Sequence, residues 1–163
     1  MNSIACVSQG WGLGNQNQLL FRISADLKRF KELTTNGTVI MGRKTLDSLP
    51  KGKGLPNRRN IVLTRDAAFF REGVEVAHTP EEVRELVKNE PPERVWVIGG
   101  GEIYRIFLPD CDKCYLTQVM QEAAFDTCFP NLREDASWNL TDCGAIQHEG
   151  EMNFRYLVYQ RQS

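Results

Sequence analysis

The stretch RVWVIGGGEIYRIFL, residues 94–108, predicts a strand, a glycine-rich turn and a helix in immediate succession. Residues 94–98 are a short, mostly apolar run, which is typical of a buried strand. Gly99-Gly100-Gly101 ends this strand, and residues 102–108 are expected to form a helix that stops at Pro109. A strand that passes directly into a helix is the repeating unit of α/β folds.

The same alternation extends outward along the chain in both directions. Short apolar runs predict strands, and segments with helical apolar spacing predict helices. The further predicted strands are residues 3–8, 38–42, 61–64, 74–77 and 113–119, and the further predicted helices are residues 20–33, 43–49 and 80–89. Strands that alternate with helices indicate a largely parallel sheet covered on both faces.

Two segments depart from this alternation. Residues 9–18 contain three glycines and two asparagines, so we expect a loop there, either a lid or binding loop or an ordinary flexible connection. Near the C-terminus, residues 138–141 and 154–159 predict two long strands joined around residues 149–151. Such a hairpin adds an antiparallel edge to the sheet.

Asp26 is the unusual member of the helix predicted within residues 20–33. Ser24 is a favourable N-cap, and Asp26 starts the inward-facing row of that helix. An acid in the first turn can simply complement the helix dipole. A carboxylate on an apolar face is costly unless something hydrogen-bonds it, and a ligand is one candidate besides Arg22 and Arg29. Both interpretations stay open at this point.

Two strand-to-helix junctions are candidates for phosphate binding. Arg43-Lys44-Thr45 offers positive charge together with free backbone N–H groups, and the alternative is a solvated basic turn. Gly99-Gly100-Gly101 would let a pyrophosphate approach bare backbone, and the alternative is a tight backbone crossing. The triple glycine matches neither the Gly-x-Gly-x-x-Gly fingerprint nor a P-loop.

Composition bounds the class of protein. The 163 residues suit one domain over residues 1–163, and the net charge of −1 gives no reason to expect nucleic acid or an anionic membrane as partner. No apolar run approaches a membrane span and no cleavable signal begins the chain, so a cytoplasmic location is expected. Five cysteines make an odd set, and Cys111 and Cys114 are expected to be reduced structural thiols. No metal site is expected.

Several local patterns occur together in one order, and together they resemble the dihydrofolate reductase family. The matching segments cover essentially the whole chain and are Ile4-Ala5 with the glycine-rich loop, ADLKRFK at 25–31, VIMGRKT at 39–45, LPNR at 55–58, NIVLTR at 60–65, VIGGGEIY at 97–104, YLT at 115–117, and DT at 126–127 before Phe129-Pro130. Any one segment is weak evidence, whereas the collinear set is highly specific.

The resemblance implies an α/β fold with an eight-stranded, mostly parallel sheet, an antiparallel C-terminal strand and four flanking helices. It also implies reduction of 7,8-dihydrofolate to tetrahydrofolate, for one-carbon metabolism, with NADPH as cofactor. The basic residues of the phosphate region favour NADPH over NADH because of the extra phosphate group. Gly99-Gly100 matches a position where the family has a cis peptide bond.

The resemblance further implies four catalytic residues. Asp26 would pair with the amino group and ring nitrogens of the pterin, Thr117 would support it by hydrogen bonding, and Tyr104 would lie near the nicotinamide. Leu20-Phe21 stands where the family normally has Pro-Trp in the lid. Since Phe21 lacks the indole N–H that helps to hold a water, we expect a rearranged water network and slower turnover. Phe125 fills a position often held by a small residue, on a loop expected to pack against the lid.

The remaining site residues that the resemblance implies form two sets. The substrate set comprises Ile4, Ala5, Cys6, Leu27, Phe30, Lys31, Ser48, Leu49, Leu55, Arg58 and Ile98. Within it, Arg58 would clamp the glutamate carboxylate of the substrate, which suits a bidentate guanidinium. The cofactor set comprises Cys6, Leu13, Gly14, Asn17, Leu19, Gly42, Arg43, Lys44, Thr45, Leu63, Thr64, Arg65, Ile98, Gly99, Gly100, Gly101, Glu102, Ile103, Tyr104 and Thr127.

Two alternative functions stay open from the sequence. The pyrimidine reductase of riboflavin synthesis would share the nucleotide-binding pattern but not the Asp26 helix together with Arg58. A non-catalytic folate-binding protein is conceivable because of Leu20-Phe21. A monomer is the default expected from the family. Antifolates are the expected class of inhibitor, whereas the response to trimethoprim stays open because Phe21 and Phe125 change the inhibitor pocket.

Overall fold

The computed structural model describes residues 1–162, and within them β-strands and α-helices alternate as predicted. The helices are α1 (Ser24–Thr34), α2 (Arg43–Ser48), α3 (Pro80–Val87) and α4 (Gly101–Phe107). The strands are β1 (Asn2–Val7), β2 (Gly12–Asn15), β3 (Gln18–Leu19), β4 (Thr38–Gly42), β5 (Arg59–Leu63), β6 (Glu75–Ala77), β7 (Val95–Gly99), β8 (Lys113–Val119), β9 (Thr127–Cys128), β10 (Trp138–Cys143), β11 (Gln147–Glu149) and β12 (Met152–Arg161).

Eight strands form the main sheet in the order β10-β12-β8-β1-β7-β4-β5-β6, and the short β11 pairs with the beginning of β12. The six strands from β8 to β6 are parallel to their neighbours, whereas β12 runs antiparallel to both β8 and β10. The predicted eight-stranded mixed sheet with an antiparallel C-terminal strand and four helices is therefore confirmed.

The central strands are buried on both faces, which explains their nearly continuous apolar sequences. Val39, Ile40 and Met41 of β4 are all 0% exposed. Val39 and Met41 pack in one cluster with residues of α1 and α2, whereas Ile40 packs in the other cluster with residues of α3 and α4. The helices thus cover both faces, and the carboxyl ends of the parallel strands meet at one edge of the sheet.

The segment of residues 9–18 is more ordered than the expected loop. β2 pairs with β3 and with β9 in a small three-stranded antiparallel sheet. Trp11 and Leu13 are each 7% exposed and belong to the core, and the Trp11 ring stacks on Phe129 at 6.4 Å. Pairing with the distant β9 satisfies backbone groups that a local loop would leave to water, and the turn-rich composition gave no sign of this partner.

Ser24 does not act as the predicted N-cap of α1. It is the first helical residue, and Ile23 occupies the cap position with no side-chain hydrogen bond to the helix. The carboxylate of Glu149 accepts hydrogen bonds from the backbone N–H groups of Ser24 and Ala25 instead. The prediction was wrong because the capping group comes from the C-terminal hairpin, far away in the sequence.

The C-terminal hairpin turns where it was predicted, at Gly150, whose φ of +60° suits glycine. β11 and β12 pair directly across this turn, and β10 pairs with the far end of β12. The cis peptide bond predicted for Gly99-Gly100 is confirmed.

The five cysteines are free, and both Cys111 and Cys114 are buried, which confirms their prediction as structural thiols. Ser3 Oγ lies 3.2 Å from Cys111 Sγ. In the described part of the chain, no helix is long and apolar enough to cross a membrane.

Candidate active site

Asp26 lies in the first turn of α1, and its side chain points to the sheet. Thr117 of β8 donates its hydroxyl hydrogen bond to Asp26 Oδ1. Thr117 is only 2% exposed, and it pairs in register with Cys6 of β1. Asp26 is half-buried, so its carboxylate is held at the boundary between helix and sheet rather than turned out to solvent.

The surroundings of Asp26 favour its protonated form. Burial raises the pKa of the Asp26 carboxyl, while the hydrogen bond from Thr117 and the positive charge of Arg29 lower it by less. The Arg29 guanidinium lies 4.0 Å from the centre of the Tyr156 ring, which holds it beside the acid. Burial, and to a lesser degree the negative charge of Asp26, raise the pKa of the Cys6 thiol to about 12. The thiol therefore stays uncharged at neutral pH.

Partly buried apolar side chains pack on the face of the sheet that α1 covers, and we call this apolar surface the cleft. Five of the residues predicted to bind substrate belong to the cluster that covers one face of the sheet, namely Ile4, Phe30, Leu49, Leu55 and Ile98. Leu27, one residue after Asp26, is 43% exposed although it is apolar. Cys6 belongs to the adjoining cluster with Phe21 and Ala25. Most of the predicted substrate set therefore packs on the face of the sheet that α1 covers.

Three further members of the predicted substrate set have different surroundings. Ala5 packs in the cluster on the opposite face of the sheet, because successive residues of a strand point to opposite sides. Lys31 is exposed on α1. Ser48 is exposed at the end of α2, and its hydroxyl donates a hydrogen bond of 2.6 Å to the Thr45 carbonyl oxygen.

Arg58 is fixed in position at the end of the cleft. Its Nε donates to the Pro56 carbonyl oxygen at 2.9 Å, and its Nη1 donates to Thr34 Oγ1 at 3.0 Å. Thr34 is itself buried at the end of α1. Arg58 is half-buried, and burial lowers its pKa from the usual arginine value. A guanidinium oriented by its own protein can present its remaining N–H groups to an anion with little loss of rotamer freedom.

The glycine-rich ends of β4 and β7 form a cradle open to a large ligand. Gly99 has a φ of +130°, and a Cβ atom placed on Gly100 would find Thr45 Oγ1 as its nearest neighbour, at 3.9 Å. A Cβ on Gly42 would lie 3.1 Å from Ile103 Cγ1, so β4 and α4 approach closely here. A Cβ on Gly101 would lie 2.5 Å from Thr127 Cγ2, which only glycine avoids. The cradle therefore fits the pyrophosphate and nicotinamide ends of a dinucleotide.

Basic residues surround the outer part of the cradle. Arg43 and Lys44 are exposed at the start of α2, and Arg65, whose side chain is 95% exposed, follows β5. Arg43 Nη1 contacts Asp66 Oδ2 at 3.0 Å, and Arg65 Nη2 lies 3.7 Å from Glu102 Oε1. These cations suit the phosphates of NADPH, including the extra phosphate that distinguishes it from NADH.

The other predicted cofactor residues lie around this region to different degrees. Leu13 is buried in the core, Leu63 and Thr64 are half-buried at the end of β5, and Gly14 pairs with Thr127 of β9. Asn17 and Leu19 are exposed, and the structure does not join them to the cradle. Tyr104 donates its hydroxyl hydrogen bond to the Ile4 carbonyl oxygen at 2.6 Å and is buried beside Gly99. Burial raises the pKa of Tyr104 strongly, so it stays protonated.

Phe125 packs on the segment that precedes α1. A Cβ atom placed on Gly12 would lie 2.6 Å from Phe125 Cδ1 and 2.9 Å from Leu20 Cδ1. Asp126 joins the same two segments, because Asp126 Oδ2 accepts from the Gln16 backbone N–H at 2.9 Å. The expected contact between the Phe125 loop and the lid segment is confirmed. The sequence did not predict that Asp126 joins the two segments, because Asp126 was recognised only as part of the DT motif at residues 126–127.

Glycine-rich strand ends beside an apolar cleft with one partly buried acid are typical of α/β enzymes that bind a nucleotide cofactor. Comparison with known proteins narrows this class. The family model described as dihydrofolate reductase matches residues 1–161. The chain is also similar to three curated dihydrofolate reductases.

The first relative, from Staphylococcus haemolyticus, is 36% identical over 91% of this chain and 88% of the relative. The second, from Haemophilus influenzae, is 37% identical over 91% of both chains. The third, from Mycobacterium leprae, is 46% identical over 66% of this chain and 64% of the relative.

The chain belongs to the dihydrofolate reductase family. It is an NADPH-dependent oxidoreductase of folate metabolism that reduces dihydrofolate to tetrahydrofolate. The two alternatives from the sequence, a pyrimidine reductase of riboflavin synthesis and a non-catalytic folate-binding protein, are therefore not favoured.

Replacing Asp26 by Asn is expected to stabilise the protein at pH 7. Asn has no charge to bury, and its Oδ1 can still accept from Thr117. Because burial raises the pKa of Asp26 in the folded chain, the folded chain binds more protons between the unfolded and folded pKa values, and stability falls as pH rises through that window. The gain in the free energy of unfolding should therefore reach its full value above the pKa of Asp26 in the folded chain. It should vanish below the pKa of Asp26 in the unfolded chain, about 3.9.

Urea unfolding of both proteins at pH 7 and at low pH measures this difference in the free energy of unfolding. Asp142→Asn, at an exposed residue of β10, is the control and should change little. Equal stability of Asp26→Asn and the wild type at pH 7 would show that Asp26 carries no desolvation penalty.

Proposed function

We propose that Asp26 binds the pterin ring of dihydrofolate and sets the charge distribution that the reduction requires. The observation that supports this most strongly is the half-buried carboxylate held by Thr117 next to an apolar cleft. A carboxylate has two acceptor oxygens in one plane, which match an amino group and an adjacent ring N–H. The raised pKa brings Asp26 nearer to the pH at which a proton can be exchanged.

The protein positions the reactants and keeps bulk water away. NADPH, when bound, supplies the hydride that is added to the imine carbon of the pterin. The imine nitrogen takes up one proton, which we propose arrives through water because Asp26 would lie on the opposite edge of the ring. Tyr104, fixed by its bond to Ile4, would line the nicotinamide side.

We further propose that different parts of the cleft bind different parts of the substrate. The partly exposed apolar residues Leu27, Leu49 and Leu55 would line the pterin and aminobenzoyl part. Arg58 would receive the glutamate carboxylate, since Thr34 and the local backbone already orient its guanidinium. The apolar side chains would supply affinity, and the charges of Asp26 and Arg58 at the two ends would fix the orientation of the substrate.

The cofactor would occupy the glycine cradle. Gly99 and Gly100 would let it approach the backbone, and Arg43, Lys44 and Arg65 would neutralise its phosphates. Residues 1–163 would act as one domain and as a monomer in the cytoplasm. Antifolates such as trimethoprim would bind in the same cleft, on the pterin site at Asp26.

Asp26→Asn should slow hydride transfer near neutral pH by about 100-fold or more, the range typical of a positioned acid–base group. Binding of NADPH, measured by fluorescence quenching, should stay within about twofold of wild type, because the cradle lies on other residues. Single-turnover absorbance of NADPH with saturating dihydrofolate measures the rate. Comparable rates in the two proteins would refute the role of Asp26.

Arg58→Gln should weaken dihydrofolate binding by about tenfold or more, since a hydrogen bond to a charged group contributes about 1.5–3 kcal/mol. A dihydropterin without the aminobenzoylglutamate tail is the matched control, and its kcat/KM should be the same with both proteins. An equal loss for both substrates would place Arg58 outside the glutamate site.

Phe21→Trp should accelerate hydride transfer in a single turnover, because the indole N–H adds a donor that can hold a water beside the substrate. Phe21 is half-buried in the cluster with Cys6 and Ala25, so a ring at this position faces the cleft. Phe21→Leu changes packing without adding a donor and serves as the control. An unchanged rate in Phe21→Trp would contradict the importance of this donor.

A further inference from the structure

Glu149 ends β11, immediately before the turn at Gly150, and reaches across to the helix that carries Asp26. Its Oε2 accepts a hydrogen bond from the Ser24 backbone N–H at 2.7 Å, and its Oε1 accepts one from the Ala25 backbone N–H at 3.1 Å. Both oxygens of one carboxylate are thus used by two successive residues of α1. This contact joins parts of the chain that are 125 residues apart.

The contact replaces a cap that the local sequence does not supply. The first N–H groups of a helix have no partner within the helix, and Ile23 at the cap position offers no side-chain acceptor. A carboxylate at this end also complements the positive pole of the helix dipole. Two bonds to one planar group fix the direction of the first turn more strictly than a single bond would.

Asp26 is the residue directly after the two that Glu149 binds. Its own carboxylate is fixed from the sheet by the hydroxyl of Thr117 on β8. The first turn of α1 is therefore held from two directions, by the hairpin of β11 and β12 through its backbone and by β8 through the Asp26 side chain. Loss of either support would let the carboxylate change its angle to the cleft.

We propose that Glu149 is a positioning residue for Asp26, which fixes the first turn of α1 through two backbone hydrogen bonds. This inference rests on the proposed role of Asp26 in binding the pterin. Glu149 itself touches neither the cleft cluster nor the glycine cradle among the described contacts.

The groups that face Asp26 are one cation and three groups that stay neutral. Arg29 on α1 is the nearby cation, and the titratable groups on the strands and on α4 are Cys6, Tyr156 and Tyr104. Burial raises the pKa of all three of these groups, so they stay neutral.

Glu149 itself is ionised at neutral pH. The backbone N–H groups of Ser24 and Ala25, in that order, hold the pKa of its carboxyl below the usual range.

The experiment compares four single variants of the full chain and the double variant Ser24→Pro/Glu149→Ala. Glu149→Ala removes both acceptors, and Glu149→Gln keeps one acceptor oxygen but removes the charge. Ser24→Pro removes one donor without changing Glu149, and proline is favoured at the first helical position. Ile23, with φ −123° and ψ 119°, already has the backbone conformation that a following proline requires. Glu151→Ala, at an exposed acid of the same hairpin, is the matched control.

Two readouts separate positioning from simple stability. The first is the pKa of Asp26, measured by carbon-13 NMR in the protein without ligands. The second is the split between KM for dihydrofolate and kcat at pH 7. Glu149→Ala should raise KM about three- to tenfold, whereas Glu149→Gln, which keeps one acceptor oxygen, should raise KM less. Once Ser24→Pro is present, Glu149→Ala should cost less than it does alone, since the two residues share a contact.

Two results would overturn the inference. One is that Glu149→Ala has the same KM and the same Asp26 pKa as the control Glu151→Ala. The other is that the effects of Ser24→Pro and Glu149→Ala are strictly additive in the double variant. The backbone amide protons of Ser24 and Ala25 give a further check, because they should shift as Glu149 is protonated in acid. Failure of the proposed function is distinguishable, since it would appear as full activity in Asp26→Asn whatever the Glu149 variants show.

Discussion

The site depends on one hydrogen bond between a helix and a sheet, from Thr117 of β8 to the carboxylate of Asp26. A carboxylate taken partly out of water loses solvation, and this loss raises its pKa. The hydrogen bond from the Thr117 hydroxyl compensates part of this loss of solvation and also fixes the direction of the Asp26 side chain. Without this bond the acid would be free to turn to solvent, and the apolar cleft would have no polar group to orient a ring.

The sheet determines where such a bond can form. Parallel strands buried on both faces leave their carboxyl ends as the place where loops and helix starts converge. The acid on α1 and the glycines after β4 and β7 belong to different elements, yet the sheet order places β8, β1, β7 and β4 side by side. One layer of strands thus carries the acid's support, the cleft floor and the cofactor cradle. The two bound molecules can therefore meet without any large rearrangement of the core.

Local patterns were sufficient to predict the strands, the four helices and the chemistry of the glycine turns. Apolar runs and strand-to-helix junctions are properties of neighbouring residues, and Gly99-Gly100 was marked by a family pattern. Sequence reasoning failed where the partner is distant. Ser24 was expected to cap α1, whereas Glu149 does so, and residues 9–18 were expected to be a loop, whereas β2 pairs with β9. Strand alternation turns the side chain of Ala5, a member of the predicted substrate set, to the opposite face of the sheet.

The most direct test of the proposed site is a crystal structure of the protein with folate and oxidised cofactor bound. We expect the pterin amino group and the adjacent ring nitrogen to lie within hydrogen-bond distance of the two carboxylate oxygens of Asp26. The nicotinamide should lie against the same ring near Gly99 and Tyr104. A pterin bound elsewhere, or an Asp26 side chain turned out to solvent in that complex, would contradict the proposed role of the acid.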